Sequence, residues 1–164
     1  MVKKIVIDTD PGVDDSLAIF VALNSPELEV LGLTTIFGNA VTQTCTENAL
    51  RLLEIAERTD IPVAEGAHVP LSGISRGVAT FVHGDNGQGN AELPSPTTKS
   101  LEIDAVSFLK ETIETYPNEI TLVPVGPLTN IANLLNNHPG IDEKIKEIVL
   151  MGGNAQSPGN ATPT

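Results

Sequence analysis

Short β-branched runs alternate with segments of helical period along almost the whole chain, and that alternation constrains the fold more than any other feature. "KKIVID" (residues 3–8) is an apolar run closed by an acidic turn, as expected of a buried parallel strand. "DDSLAIFVALNS" (14–25) follows with Leu17, Phe20, Val21 and Leu23 at helical spacing, apolar nearly all round, which predicts a buried helix. "LEVLGLTTIFGN" (28–39) reads as a second strand. "TENALRLLEIAERTD" (46–60) puts Ala49, Leu52, Leu53 and Ala56 on one stripe, with Glu47–Arg51 and Glu54–Arg58 as expected i,i+4 ion pairs. "IPVAEG" is a short third strand beginning beside Pro62. Later come a helix over 102–116, carrying Val106, Leu109, Ile113 and Tyr116 on one face, and a strand "EITLVPVG". A helix stopped by Pro139 and Gly140 and a strand "IKEIVLMGG" complete the series.

The resulting order, β-α-β-α-β-loop-α-β-α-β, predicts an open α/β fold: a mostly parallel sheet with helices on both faces. Between His68 and Ser100 neither period survives and Gly, Pro, Ser and Thr are dense. A loop that long inside a compact domain is usually functional, and this one is expected to be mobile without substrate.

The 164 residues fit one domain with a substantial core, and 40% hydrophobic with 18% charged residues is a globular balance. A net charge of −12 leaves no basic stripe for nucleic acid and none for an anionic membrane surface. Cys45 has no partner for an internal disulfide, and "MVKKIVIDTD" holds too short an apolar run for a signal peptide or a membrane span. These features predict a cytoplasmic protein. Cys45 itself reads as a small buried residue without a catalytic role.

In an open α/β sheet, ligands bind beyond the carboxyl ends of the strands. Four informative turns fall there: "DTDPGVDD" (8–15), Gly38-Asn39, "PVGPLTN" and "MGGN". Four aspartates within residues 8–15 repel one another unless something positive sits among them. Helix capping by Asp14 or Asp15 stabilises only by ~0.3–1 kcal/mol and does not explain four. A hard divalent cation does; no His or Cys cluster offers softer ligands, and this chemistry does not separate Ca²⁺ from Mg²⁺. The same Asp8-x-Asp10 pattern also fits a haloacid-dehalogenase-type phosphatase, with Asp8 as nucleophile beside Mg²⁺. The lysine and acidic pair which that chemistry needs are absent from the later strand ends.

Taken together, "DTDPGVDDSLAI", "TTIFGNA", "VHGDNGQG", "VPVGPLTNIA", "IVLMGGN" and "GNATPT" resemble, in order, the motifs of the inosine-uridine-preferring nucleoside hydrolases. The resemblance implies an enzyme that cleaves the N-glycosidic bond of ribonucleosides, purine nucleosidase activity included, with a tightly held Ca²⁺. By motif match it makes Asp10, Asp15 and the Val125 carbonyl metal ligands, with Asp10 also the base that takes a proton from the water held there. Asp14 would hold ribose hydroxyls, and Asn39 would orient the water and touch the sugar. Asn160 would reach the ribose, Met151 would line its 5′ side, and His83 would approach the base. Asp8 would keep the turn in shape.

The family pattern continues beyond "GNATPT" into motifs that this sequence does not contain, among them a further metal-binding aspartate and a histidine acid. Residues 1–164 are therefore expected to be the N-terminal portion of a single domain. A homo-oligomer or a complementing C-terminal half would be its partner besides the nucleoside. Three functions stay open on the sequence: part of a nucleoside hydrolase, a non-catalytic fragment binding metal or ribose, and a metal-dependent phosphatase.

Overall fold

Lys3–Thr9 forms β1, the middle strand of the sheet, and its last five residues are buried because other strands flank it on both sides. In the computed structural model, which describes residues 2–74 and 77–153, β1 pairs in parallel with β2 (Leu28–Thr35) and with β4 (Ile120–Pro124). β3 (Val63–Glu65) and β5 (Glu147–Ile148) pair outside them, giving the order β3-β2-β1-β4-β5. The helices are α1 (Val13–Leu23), α2 (Thr42–Ile55), the single-turn α3 (Thr80–His83), α4 (Ala105–Thr115) and α5 (Thr129–Asn137). The predicted open parallel α/β architecture is present.

Alternation along the strands feeds two cores. Ile5, Ile7, Leu33 and Val63 pack with Ile19 of α1 and Leu52 and Leu53 of α2 on one face. Val6, Ala64, Ile120 and Leu122 pack with Leu109 and Ile113 of α4 and Leu134 of α5 on the other. The chain winds outward from β1 to β3, then returns to the other side of β1 for β4 and β5. The winding reverses between β1 and β4, and in open α/β sheets ligands bind where the loops leave such adjacent strands at their carboxyl ends.

Four expectations change. α1 is buried on one side only: Leu17 and Val21 are 64% and 67% exposed, because only the side bearing Ile19 and Ala22 meets the sheet. Beside it an apolar groove of about 390 Å³ runs over Ile5, Ile7, Val123 and Val125. Neither predicted ion pair of α2 forms. Arg51 turns to Asn48, Gln88 and the Pro94 carbonyl, Arg58 pairs with Asp60, and Glu54 accepts four hydrogen bonds from the N–H and hydroxyl groups of Thr97 and Thr98. Multidentate partners outcompete a solvated i,i+4 pair. β5 is two residues long as an edge strand, although the Val149 and Met151 N–H groups still bond the Leu122 and Pro124 carbonyls. The long loop contains α3, and the turn after it is internally hydrogen-bonded. Among the described residues no helix is long and apolar enough to cross a membrane.

Candidate active site at the sheet switch point

The eight residues from Asp8 leave β1 at its carboxyl end and enter α1, so the aspartates take different depths. Asp8, Asp10 and Asp15 are buried, whereas the Asp14 side chain is 74% exposed. Asp15, in the first turn of α1, accepts from the Gly12 N–H (3.1 Å) and the Thr9 hydroxyl (3.0 Å), which suits a carboxylate at a helix N-terminus. Asp8 Oδ1 accepts from the Thr34 hydroxyl at 2.5 Å and from Asn130 Nδ2 at 2.8 Å, while its Oδ2 is buried without a partner. Burial pushes the Asp8 carboxyl up to about 6, against those two hydrogen bonds.

Asp10 is the most perturbed of the cluster. Burial first, and then the Asp15 charge, push it up to about 7. Asp15 is raised as well, chiefly by burial. Asn39 ties the two acids together. Its backbone N–H donates to Asp10 Oδ2 at 2.8 Å, and its Nδ2 lies 3.0 Å from the Asp10 carbonyl and 2.8 Å from Asp15 Oδ2. Small residues make this approach feasible. A Cβ on Gly126 would stand 2.6 Å from Asp10 Oδ1, one on Gly12 would stand 2.6 Å from Asn39 Nδ2, and one on Gly38 would collide with Asp10 Oδ2.

His83, 70 residues from Val13 in sequence, closes the cluster from the long loop: its Nδ1 accepts the Val13 N–H at 3.2 Å and lies 3.7 Å from Asp14 Oδ1. A ring nitrogen that accepts cannot also carry the hydrogen, so this contact selects the tautomer protonated on Nε2. Val13, Asp14, Phe81, Val82 and His83 border a hollow of about 520 Å³. Gly38, Phe37, Pro127 and Thr129 border another of about 400 Å³. A larger one, about 550 Å³ beneath residues 95–102, shares no residue with the aspartate turn.

The structure therefore brings together Asp10, Asp14, Asp15, Asn39 and His83. Val125 is held against the turn through its N–H to the Asp8 carbonyl at 2.8 Å. Met151 is exposed and bonded through its N–H to Pro124. Asn160 lies outside the described residues. Among the described residues no three His, Cys, Asp or Glu side chains converge as a metal-binding group. The donors the described site offers are the buried Asp10 and Asp15 carboxylates, oxygen ligands that suit a hard cation in kind. Asp8 does not serve as the phosphatase reading requires: it is 1% exposed, with Oδ1 bonded to Thr34 and Asn130 and Oδ2 buried, so neither oxygen is open to a substrate. Cys45 is buried, its thiol pushed up to about 12 by burial, in keeping with an inert role.

Sequence reasoning missed Thr34, Asn130 and Asn48. Asn130 is fully buried and bonds Asp8, the Thr35 carbonyl and the Ala67 N–H. Its only local sign was an amide beside an apolar helical stripe, and a buried amide needs partners.

The family model for inosine-uridine preferring nucleoside hydrolases matches residues 5–164. Uridine nucleosidase 1 of Arabidopsis thaliana is 52% identical over 161 residues, which is 98% of this chain and 48% of that protein. A pyrimidine-specific ribonucleoside hydrolase of a Shewanella species is 45% identical, over 99% of this chain and 51% of its own length. Among solved structures, a plant nucleoside hydrolase superposes with a TM-score of 0.94 at 47% identity, over 98% of this chain and 51% of that one. A purine-preferring ribonucleoside hydrolase from Gardnerella vaginalis also gives 0.94, at 38% identity over 98% and 52%. The chain thus spans about half the length of the relatives it matches.

Proposed function

The chain belongs to the inosine-uridine preferring nucleoside hydrolase family, and from that premise we propose that the whole protein hydrolyses the N-glycosidic bond of ribonucleosides with Asp10 as general base. The observation that carries this reading is the meeting of Asp10, Asp15, Asn39 and His83 at the switch point of the sheet. Departure of the base leaves an oxocarbenium-like sugar, and a carboxylate cluster stabilises that charge.

Each residue has a role suited to its setting. Asp10, buried beside Asp15 and oriented by the Asn39 N–H, is the carboxylate placed to take a proton from water. Asp14, exposed on the first turn of α1, is free to accept from ribose hydroxyls. Asn39 spends its donors on the two acids, so its Oδ1 is the atom left to meet water or sugar. His83, with its hydrogen on Nε2, offers a donor to the substrate. Met151 and Asn160 complete the ribose side in this reading. Asp10, Asp15 and the Val125 carbonyl would hold Ca²⁺, which when bound would acidify a water and grip vicinal hydroxyls.

Uridine is the substrate to test first, because relatives at 52% identity are named uridine nucleosidases, the second of them a probable one. Inosine provides the purine comparison. The full-length, Ca²⁺-loaded protein should release uracil from uridine, and Asp10→Asn should lower the rate by at least ~10²–10⁴-fold, the general-base contribution alone. An Asp10→Asn variant with a near-normal rate would overturn the mechanism. Absence of base release from uridine and inosine by the loaded wild type would overturn the function.

A further inference from the structure

Asn48 lies on α2, distant in sequence from both halves of the site, and is 1% exposed. Its Nδ2 donates to the Pro11 carbonyl at 3.2 Å and to the Asn86 carbonyl at 2.9 Å, and its Oδ1 accepts from Arg51 Nη1 at 2.6 Å. Pro11 follows Asp10 in the acidic turn; Asn86 belongs to the turn that follows His83. One amide thus spans the two loops that must meet for the site to exist.

The far side of that bridge is stiff. Asn86 Oδ1 accepts from the Gln88 and Asn90 N–H groups, each at 2.9 Å, and the Gly89 N–H bonds the His83 carbonyl at 2.7 Å. Arg51 braces the same turn through Gln88 Oε1 at 2.9 Å and the Pro94 carbonyl at 2.6 Å. The turn presses close, since a Cβ on Gly87 would stand 2.9 Å from Asn48 Nδ2. The two loops meet a second time at the bond from the Val13 N–H to His83 Nδ1.

We propose that Asn48 is a positioning residue for the reaction: by bridging Pro11 and Asn86 it sets the spacing at which His83 Nδ1 reaches the Val13 N–H. It touches no reacting group, and it deepens the function proposed above, on which its kinetic arm rests. The side chain must be an amide. Two carbonyls facing one group need two N–H hydrogens, which a carboxylate would replace with repulsion and a leucine with nothing. Asp10 and Asp15 are held from other sides by Asn39, Gly12 and Thr9, so Asn48 governs the histidine side of the site and not the acidic side.

The test compares wild type with Asn48→Leu in the full-length, Ca²⁺-loaded protein. Hydrogen exchange at the Val13 amide and ¹⁵N shifts of labelled His83 report the bridge whether or not the protein turns over nucleosides. Expected are about tenfold faster Val13 exchange, the scale of one lost hydrogen bond, and loss of the fixed Nε2–H tautomer. KM for uridine should rise by a similar factor while Ca²⁺ affinity changes by less than about threefold. Arg51→Met, which removes the brace but leaves both carbonyls bonded to Asn48, should move the same readouts in the same direction by less. Unchanged Val13 exchange and an unchanged His83 spectrum in folded Asn48→Leu would overturn the proposal. So would equal losses in Ca²⁺ affinity and KM, or unfolding of both variants, since each makes Asn48 a general structural residue. If the wild type hydrolyses no nucleoside yet the exchange and tautomer shift as expected, the positioning role stands and the functional reading falls.

Discussion

Asn39 grips Asp10 from two sides, its N–H 2.8 Å from Oδ2 and its Nδ2 3.0 Å from the Asp10 carbonyl, while the same Nδ2 reaches Asp15 at 2.8 Å. Two buried carboxylates that repel each other are thus aimed by one neutral amide. Asn39→Ala keeps the backbone bond but frees both side-chain contacts. We expect about 1–3 kcal/mol lower stability from the loss of hydrogen bonds to buried groups, and roughly tenfold or greater loss of Ca²⁺ affinity. Calorimetry on the folded variant checks this, and wild-type affinity would refute the aiming role.

Protonation of the same acids should govern stability in the absence of divalent ions. The folded-state values of Asp10 and Asp8, about 7 and about 6, lie above the ordinary carboxylate value of 3.8, and Asp15 is raised too. Between pH 4 and 7 the native state therefore holds more protons than the unfolded chain, so stability falls as pH rises. Each unit is worth about 1.4 kcal/mol, giving a loss on the order of a few kcal/mol. Glu54 runs the other way, held down to about 2, but its contribution is already complete above pH 5. Thermal melts in EDTA should show a falling Tm from pH 5 to 7.5, with a smaller fall in Ca²⁺. A rising Tm in EDTA would contradict the burial of these acids.

Gly126 offers a test at the opposite wall. An added methyl would stand 2.6 Å from Asp10 Oδ1 and 3.0 Å from Ile36 Cγ2. Overpacking of this kind typically costs about 1–3 kcal/mol, and here it must also turn Asp10 away from Asn39. In the full-length protein, Gly126→Ala should fold, melt a few degrees lower and lose most of the proposed nucleoside hydrolysis. Full activity would mean that Asp10 tolerates displacement and is not the base.

The long loop should divide in its dynamics. The N–H groups of residues 85 and 87–90 are all bonded within the turn. Between residues 68 and 74 the bonded amides are those of Gly73 and Ile74. Hydrogen exchange should be slow over 85–90 and fast over 68–74. Uniformly fast exchange would restore the mobile loop that composition suggests.

The strands, their alternation with helices and the acidic turn were legible because each writes a local period or a local cluster of charge. β1 and α1 needed only "KKIVID" and the run after it. What stayed hidden depends on partners far along the chain. Glu54 looked like a helix-surface acid paired with Arg58, yet Thr97 and Thr98 claim it. Leu17 and Val21 looked buried because period reports that a face is apolar, not that anything covers it. Asn48 and Asn130 gave almost no local sign, since their meaning lies in carbonyls and carboxylates of other elements.

Of the described strands, β1 is made before β4 and lies at the centre of the sheet, and the bond from Asn130 to Asp8 spans 122 residues. On a ribosome adding ~5–20 residues per second, Asp8 waits roughly 6–24 s for that partner. β2 covers one edge of β1 early, while the edge meant for β4 stays open and able to pair with a neighbouring nascent chain. Lys3 and Lys4 stand at the start of that strand, placing charge on the exposed edge. Synthesis speed, and not only sequence, should therefore influence how much of this protein reaches its native sheet.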